Sequence, residues 1–193
     1  VMHENEVKAQ YLGCGEESYG FLAEYFVRDK DSVSAISLMA EIAAWAKDNG
    51  LDMNAMLIDI YMTYGYSKEK GISLVRKGKS GAEEIAAIMK QFRENPPKSI
   101  YGSPVVTIKD FDSLVEKNVA TGETKKLDMP TTSNVLQYFT EDGSKISIRP
   151  SGTEPKIKFY LEVHDTLNSA AEYDAKNEWA EAKLEAIAKE LGV

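Results

Sequence analysis

The feature that most constrains the fold is a change of period along the chain. From Ile157 to Val163 the apolar residues Ile157, Phe159, Leu161 and Val163 alternate with Lys158, Tyr160 and Glu162. A period of two sends alternate side chains to opposite faces of a sheet, so this segment is a half-buried strand. Upstream the period is helical. Val33, Ile36, Met39, Ala43 and Ala46 follow Asp31 or Ser32 as N-cap and stop at Gly50, and Met53, Met56, Leu57, Ile60 and Tyr64 follow Asp52 and stop at Gly65. Ile85, Ile88, Met89 and Phe92 predict a third helix behind a Ser80 to Glu83 capping box, ended at Asn95 by Pro96 and Pro97.

Beyond the two prolines the strand period returns. Val105 to Ile108, Val135 to Phe139, Ile146 with Ile148, and Ile157 to Val163 predict four antiparallel strands. The polar stretch 116–133 reads as a long turn or an extended hairpin. A second capping box at Ser169 and Glu172 opens a C-terminal helix through Trp179, Leu184, Ile187 and Leu191, closed by Gly192. The expected fold is therefore mixed: α/β in the first part, with a short strand at 72–75, then an α+β layer whose helices cover one face of a four-stranded antiparallel sheet. The boundary falls in the turn-rich and proline-rich stretch 77–97 and is drawn between residues 80 and 81, giving domains 1–80 and 81–193. The first part has helices but few strands for them to cover, and Val1 precedes Met2. Both features point to a piece of a longer protein.

Charge narrows the function. With 31 Asp and Glu against 23 Lys and Arg the net charge is -8, which argues against nucleic acid or an anionic membrane as partner. The single cysteine, Cys14, cannot form an internal disulfide, and His3 and His164 lie in no ligand-spaced cluster. No apolar run is long enough to span a bilayer and no signal peptide is evident, so a cytoplasmic protein is expected.

Against this acidic background one loop inverts the charge. Arg149-Pro150-Ser151-Gly152-Thr153-Glu154-Pro155-Lys156-Ile157-Lys158 holds three cations and one carboxylate, a balance of +2 (3 minus 1). A guanidinium fork, two hydroxyls and a glycine that admits close approach to the backbone suit a phosphate group. A plain hairpin turn selects much the same residues, so composition alone leaves both readings open. A second loop, Gly13-Cys14-Gly15-Glu16-Glu17-Ser18-Tyr19-Gly20, sets carboxylates and a hydroxyl among glycines. That set suits sugar hydroxyls, and it equally suits an N-terminal turn capping a helix. Gly78-Lys79-Ser80 is not a nucleotide loop, because Ser73 stands where a glycine is needed. Arg76, Lys77 and Lys79 read as a solvated strand end.

Taken together, Gly15-Glu16-Glu17-Ser18-Tyr19-Gly20 and the Arg149 to Lys158 segment resemble the α-D-phosphohexomutases, the phosphoglucomutase/phosphomannomutase family, with the double-Glu loop closest to the phosphoglucomutase branch. The resemblance implies a four-domain isomerase in which this chain is most of the third domain and the whole fourth. It implies that Glu16 and Ser18 hold sugar hydroxyls and that Arg149, Ser151, Gly152 and Thr153 hold the phosphate not being transferred. Lys158 and Lys30 would add cations facing a hexose phosphate. Nothing in this chain resembles the family's phosphoserine segment or its magnesium loop. No residue here is therefore expected to be catalytic or to bind metal, and Mg2+ and a hexose 1,6-bisphosphate activator would belong to the full-length enzyme. The expected partners are the substrate and the missing N-terminal domains, and the chain alone should be inactive. The alternatives are a stand-alone, non-catalytic sugar-phosphate-binding module and a protein-interaction domain whose glycine loops are only turns.

Overall fold

The computed structural model describes residues 13–15, 20–23, 29–76, 78–152 and 154–193. The chain divides into two compact units, 1–59 and 60–193.

In the first unit, β1 (Cys14–Gly15) pairs antiparallel with β2 (Phe21–Leu22). Helix α1 (Ser32–Asp48) is capped by Asp31, whose carboxylate accepts from the Val33 and Ser34 amides at 3.1 and 2.8 Å. Those amides have no partner inside the helix, so the cap holds the Asp31 carboxyl below its usual range. α1 ends where Gly50 takes a left-handed φ of 72°. Helix α2 (Met53–Tyr64) starts at Asp52, which accepts from the Ala55 amide at 2.7 Å. Its last turn belongs to the second unit.

The second unit is one antiparallel sheet with helices on one face. Its strands are β3 (Tyr66–Val75), β4 (Ser99–Ile100), β5 (Ser103–Asp110), β6 (Val115–Asn118), β7 (Thr124–Lys126), β8 (Leu136–Thr140), β9 (Lys145–Pro150) and β10 (Lys156–Asp165), in the order β3-β10-β9-β8-β5-β6-β7, with β4 paired to β5. The mixed class expected from sequence holds, while the sheet has more strands than the expected four. The polar stretch after β5 forms β6 and β7. The short strand expected at 72–75 runs ten residues and pairs with β10 along its whole length, from Val75 opposite Lys156 to Tyr66 opposite Asp165. Its inner face carries Lys68 and Lys70, which hid the alternation. Both reach across to helix α4 (Tyr173–Leu191), where Lys68 Nζ donates to Asn177 at 2.6 Å and Lys70 Nζ to Glu181 at 3.0 Å.

Ile157, Phe159, Leu161 and Val163 are completely buried, with Ile146 and Ile148 of β9 beside them. Ala180, Leu184 and Ile187 of α4 cover one end of this layer, and helix α3 (Gly78–Glu94) covers the other with Ile85, Met89 and Phe92. The Phe92 ring meets Phe159 edge-on at 5.8 Å. Tyr138 donates to the Phe92 carbonyl at 2.7 Å, satisfying an orphan acceptor at the end of α3, and burial pushes its phenol far up. Arg93 clamps α3 to β5 through two bonds to Asp110, at 3.0 and 3.2 Å. Neither predicted capping box forms as expected. α3 begins at Gly78, which places Ser80 inside the first turn. Before α4 a 3-10 turn, Ala170–Glu172, has no side-chain cap at Ser169, and Glu172 instead accepts from the Asn168 amide at 3.3 Å.

Candidate functional site

The site is built at the end of the β9–β10 hairpin. These strands pair from Lys145 opposite Glu162 to Pro150 opposite Ile157, and Ser151, Gly152, Glu154 and Pro155 lie in the connection between them. The Ser151 amide donates to the Lys156 carbonyl at 2.8 Å and the Lys156 amide to the Glu154 carbonyl at 2.7 Å. Within the reversal the Glu154 amide donates to Ser151 Oγ at 3.2 Å, the local bond that makes serine a turn former. One further restraint comes from outside the hairpin: the Arg76 amide, at the end of β3, donates to the Pro155 carbonyl at 2.8 Å.

Strand register brings the cations together. Lys158 lies directly opposite Arg149 on one side and Ser73 on the other, and alternation puts all three on the face that the helices leave open. Directly opposed residues of antiparallel strands have Cβ atoms about 4.5–5.5 Å apart, and like charges so placed repel. Arg149 is exposed, and the Lys158 ammonium sits 5.7 Å from the centre of the Tyr160 ring. Glu154 pairs with Lys156. A hydrogen bond from Lys156, reinforced by the charges of Lys156 and Lys158, holds the Glu154 carboxyl below its usual range. The one carboxylate of the loop is thus ionised and engaged with Lys156, next to the opposed pair Arg149 and Lys158.

Gly152 is exposed, its φ is not left-handed, and a Cβ there would meet nothing within 4 Å. Neither space nor backbone conformation among the described residues calls for glycine at this position. The glycines of the N-terminal loop differ. A Cβ on Gly13 would come within 2.8 Å of the Phe21 ring, and one on Gly15 within 3.4 Å. Gly13 is crowded by that ring, while the contact at Gly15 is an ordinary one. Within the first unit an apolar groove of about 510 Å³ runs between the paired strands β1 and β2 and α1, lined in part by Phe21, Ala35, Ile36, Met39 and Ile42.

Of the residues expected from sequence, Arg149, Ser151, Gly152 and Lys158 come together at the hairpin end. Glu16, Ser18 and Thr153 lie outside the described residues. Lys30 belongs to the first unit, exposed and one residue before the Asp31 cap, with its amide donating to Asp29 at 2.9 Å. The sequence reading missed the part played by Arg76, which it took for the end of a solvated strand. Its bond to Pro155 joins segments far apart in the chain, so local periodicity carried no signal of it. Among the described residues no three His, Cys, Asp or Glu side chains form a group that could hold a metal ion. No helix of the described residues is long and apolar enough to cross a membrane.

Residues 74–178 match the family model for the C-terminal domain of phosphoglucomutase/phosphomannomutase. The chain is 37% identical to the phosphoglucomutase of Staphylococcus saprophyticus over 168 residues, which is 86% of this chain and 30% of that protein. It is 41% identical to the phosphoglucomutase of a bovine strain of Staphylococcus aureus over 155 residues, 77% of this chain and 26% of that protein. The open form of the Paramecium exocytosis-sensitive phosphoprotein parafusin, described as a phosphoglucomutase, superposes with a TM-score of 0.46 at 18% identity, covering 92% of this chain and 30% of that one. The chain thus spans about 30% or less of the length of these relatives. The family model covers more than half of the chain, including the whole cationic hairpin, and on that match the chain belongs to the phosphoglucomutase/phosphomannomutase family and carries its C-terminal domain.

Proposed function

We propose that this chain is the C-terminal portion of a cytoplasmic phosphohexomutase, an isomerase that moves a phosphoryl group between the 1 and 6 positions of a hexose phosphate, and that it holds the substrate rather than reacting with it. The observation that carries the reading is the register of Arg149 opposite Lys158 beside the Ser151–Gly152 turn. A phosphate dianion lying against both side chains would be attracted to each of the two opposed cations. The Arg149 fork would take two phosphate oxygens, Lys158 would add a point charge, and the bare Gly152 backbone would let the ligand approach.

On the family resemblance Thr153 completes this cradle, Glu16 and Ser18 hold sugar hydroxyls, and Lys30 faces the substrate. The domain assignment follows the same resemblance: the first part is a portion of the third domain and the second part is the fourth. Anchoring the phosphate that does not move fixes the position of the one that does. Positioning and charge complementarity are the larger share of catalysis in phosphoryl transfer. The phosphoserine and the magnesium site belong to domains this chain does not include, and no step is assigned here to the metal or to a hexose 1,6-bisphosphate activator.

Calorimetric titration with glucose 1-phosphate and glucose 1,6-bisphosphate, run beside a mutase assay, tests the reading. Binding without turnover is expected. Arg149→Ala should weaken it by roughly 1.5 to 3 kcal/mol, the scale of a charge-assisted pair. Turnover by this chain alone, or binding indifferent to Arg149, refutes the proposal.

A further inference from the structure

The phosphate loop is shaped from outside its own hairpin. The Arg76 amide is the bond from β3 to the Pro155 carbonyl, at 2.8 Å, just past the last rung of the β3–β10 ladder, Val75 opposite Lys156. Helix α3 begins at Gly78, and its first turn lies against Arg76. The contact is at Gly81, which is buried. A Cβ built on Gly81 would overlap the carbonyl carbon and oxygen of Arg76 and lie 2.9 Å from its Cβ. The φ of Gly81 is not left-handed, so its requirement for glycine comes from this close approach alone. The Arg76 side chain closes the same junction, with Nε 3.2 Å from Glu84 of α3.

We infer that Gly81 is a positioning residue for the anion-binding loop: by admitting the α3 backbone against the Arg76 carbonyl, it fixes the placement of Arg76, whose amide holds Pro155, and thereby the turn at Ser151, Gly152, Glu154 and Pro155. The inference rests on the reading of that loop as a phosphate site. Contact runs from Gly81 to the Arg76 carbonyl, through the same residue to its amide, and on to Pro155. The Glu154 carbonyl and Ser151 hydroxyl then complete the turn with the Lys156 and Glu154 amides. A methyl group at residue 81 must push against backbone, which cannot rotate aside as a side chain can. The displaced carbonyl is joined through the Arg76 Cα to the N–H that anchors the loop. Gly81 touches no ligand in this scheme and acts through Arg76.

The test uses the whole 193-residue chain, with inorganic phosphate as the probe and amide NMR as the structural readout. In the unmodified protein the Arg76 amide should exchange slowly with solvent, as a bonded amide does. In Gly81→Ala the amide signals of Ser151, Gly152, Glu154 and Lys156 should move while those of β8 and the distal half of β10 stay in place. Phosphate affinity should fall on the order of tenfold, the loss expected from a small misplacement of a binding group. Arg76→Ala keeps the amide and removes only the guanidinium, so it should retain most of the affinity. Rapid exchange of the Arg76 amide in the unmodified protein overturns the inference even if Gly81→Ala does not fold. Unmoved loop signals with unchanged phosphate affinity in Gly81→Ala overturn it as well. If Gly81→Ala moves the loop signals but the unmodified chain binds no phosphate, the loop's function has been misread while the mechanical coupling stands.

Discussion

Lys183 of α4 is 6% exposed at its side chain, and its ammonium lies 2.7 Å from Asp142 in the β8–β9 turn. That turn leads into the strand carrying Arg149, so the pair ties the candidate site's scaffold to the C-terminal helix. Asp142 also accepts from Thr140 Oγ at 2.6 Å and from the Ser144 amide at 3.1 Å. Burial opposes ionisation of Asp142, but Lys183, Thr140 and Ser144 outweigh it and hold the carboxyl far below its ordinary value of 3.8. Asp142→Ala strands a buried ammonium and leaves the Ser144 amide unmatched, while the Thr140 hydroxyl keeps the Ser144 carbonyl at 3.1 Å. Removing one partner of a buried pair costs about 3–5 kcal/mol, and because Asp142 is 37% exposed water will reach the lysine, so about 2–3 kcal/mol is expected. Lys183→Met should cost less than about 1 kcal/mol, since the methionine fills the stem's place and the partly exposed carboxylate keeps its other donors.

The assay is urea unfolding followed by Trp179 fluorescence in a Trp45→Phe background. Trp179 reports the pair directly because the Lys183 ammonium sits 5.2 Å from its ring centre. The pH dependence has a definite sign. A carboxyl depressed in the folded state contributes stability that is fully present above its unfolded value, near 3.8, and is lost as pH falls through the lower folded value. Asp142→Ala should therefore flatten the acid limb of the stability profile. Equal costs for the two substitutions, or a cost for Asp142→Ala under about 0.5 kcal/mol, would refute the argument from the stranded charge.

Other substitutions probe the site and its supports separately. Gly152→Ala should leave stability within about 0.5 kcal/mol of the unmodified chain, because the added methyl meets nothing, yet weaken phosphate binding in the same titration; unchanged affinity would show that the ligand does not approach there. Asp110→Ala removes both Arg93 bonds and the acceptor for the Ser113 hydroxyl, and should lower unfolding free energy by about 2–3 kcal/mol in urea. Tyr138→Phe leaves the Phe92 carbonyl unpaired and should cost about 1–2 kcal/mol. Burial, with neighbouring tyrosines and Glu181 adding to it, pushes the Tyr66 phenol up to about 12. Its contribution to stability is present below the ordinary value of 10.0 and is lost as pH rises through the folded value. Spectrophotometric titration should leave the Tyr66 signal un-ionised at pH values where an ordinary tyrosine has titrated, and an ordinary titration would refute its burial against Tyr61 and Tyr173.

What the sequence determined is whatever local chemistry determines. The Asp31 and Asp52 caps, the left-handed stops at Gly50 and Gly192, the break at Pro96-Pro97 and the alternation through 157–163 all reside in windows of a few residues, and the structure has each of them. The cationic loop was legible for the same reason, as a run of residue types with a charge opposite to that of the chain. Tertiary structure decided the rest. The pairing of β3 with β10 sets Ser73 against Lys158 across a long loop of chain, and lysines on the inner face of β3 broke the alternation that would have marked the strand. The capping boxes at Ser80 and Ser169 gave way to tertiary fit: α3 starts three residues early, at Gly78 rather than after Ser80, and α4 opens through a 3-10 turn. Most of all, the sequence named Arg149 and Lys158 but could not place one opposite the other, or bring Arg76 to Pro155 and Gly81 onto Arg76. Those contacts exist only once the sheet has chosen its register, a choice made by the burial of a whole face rather than by any one residue.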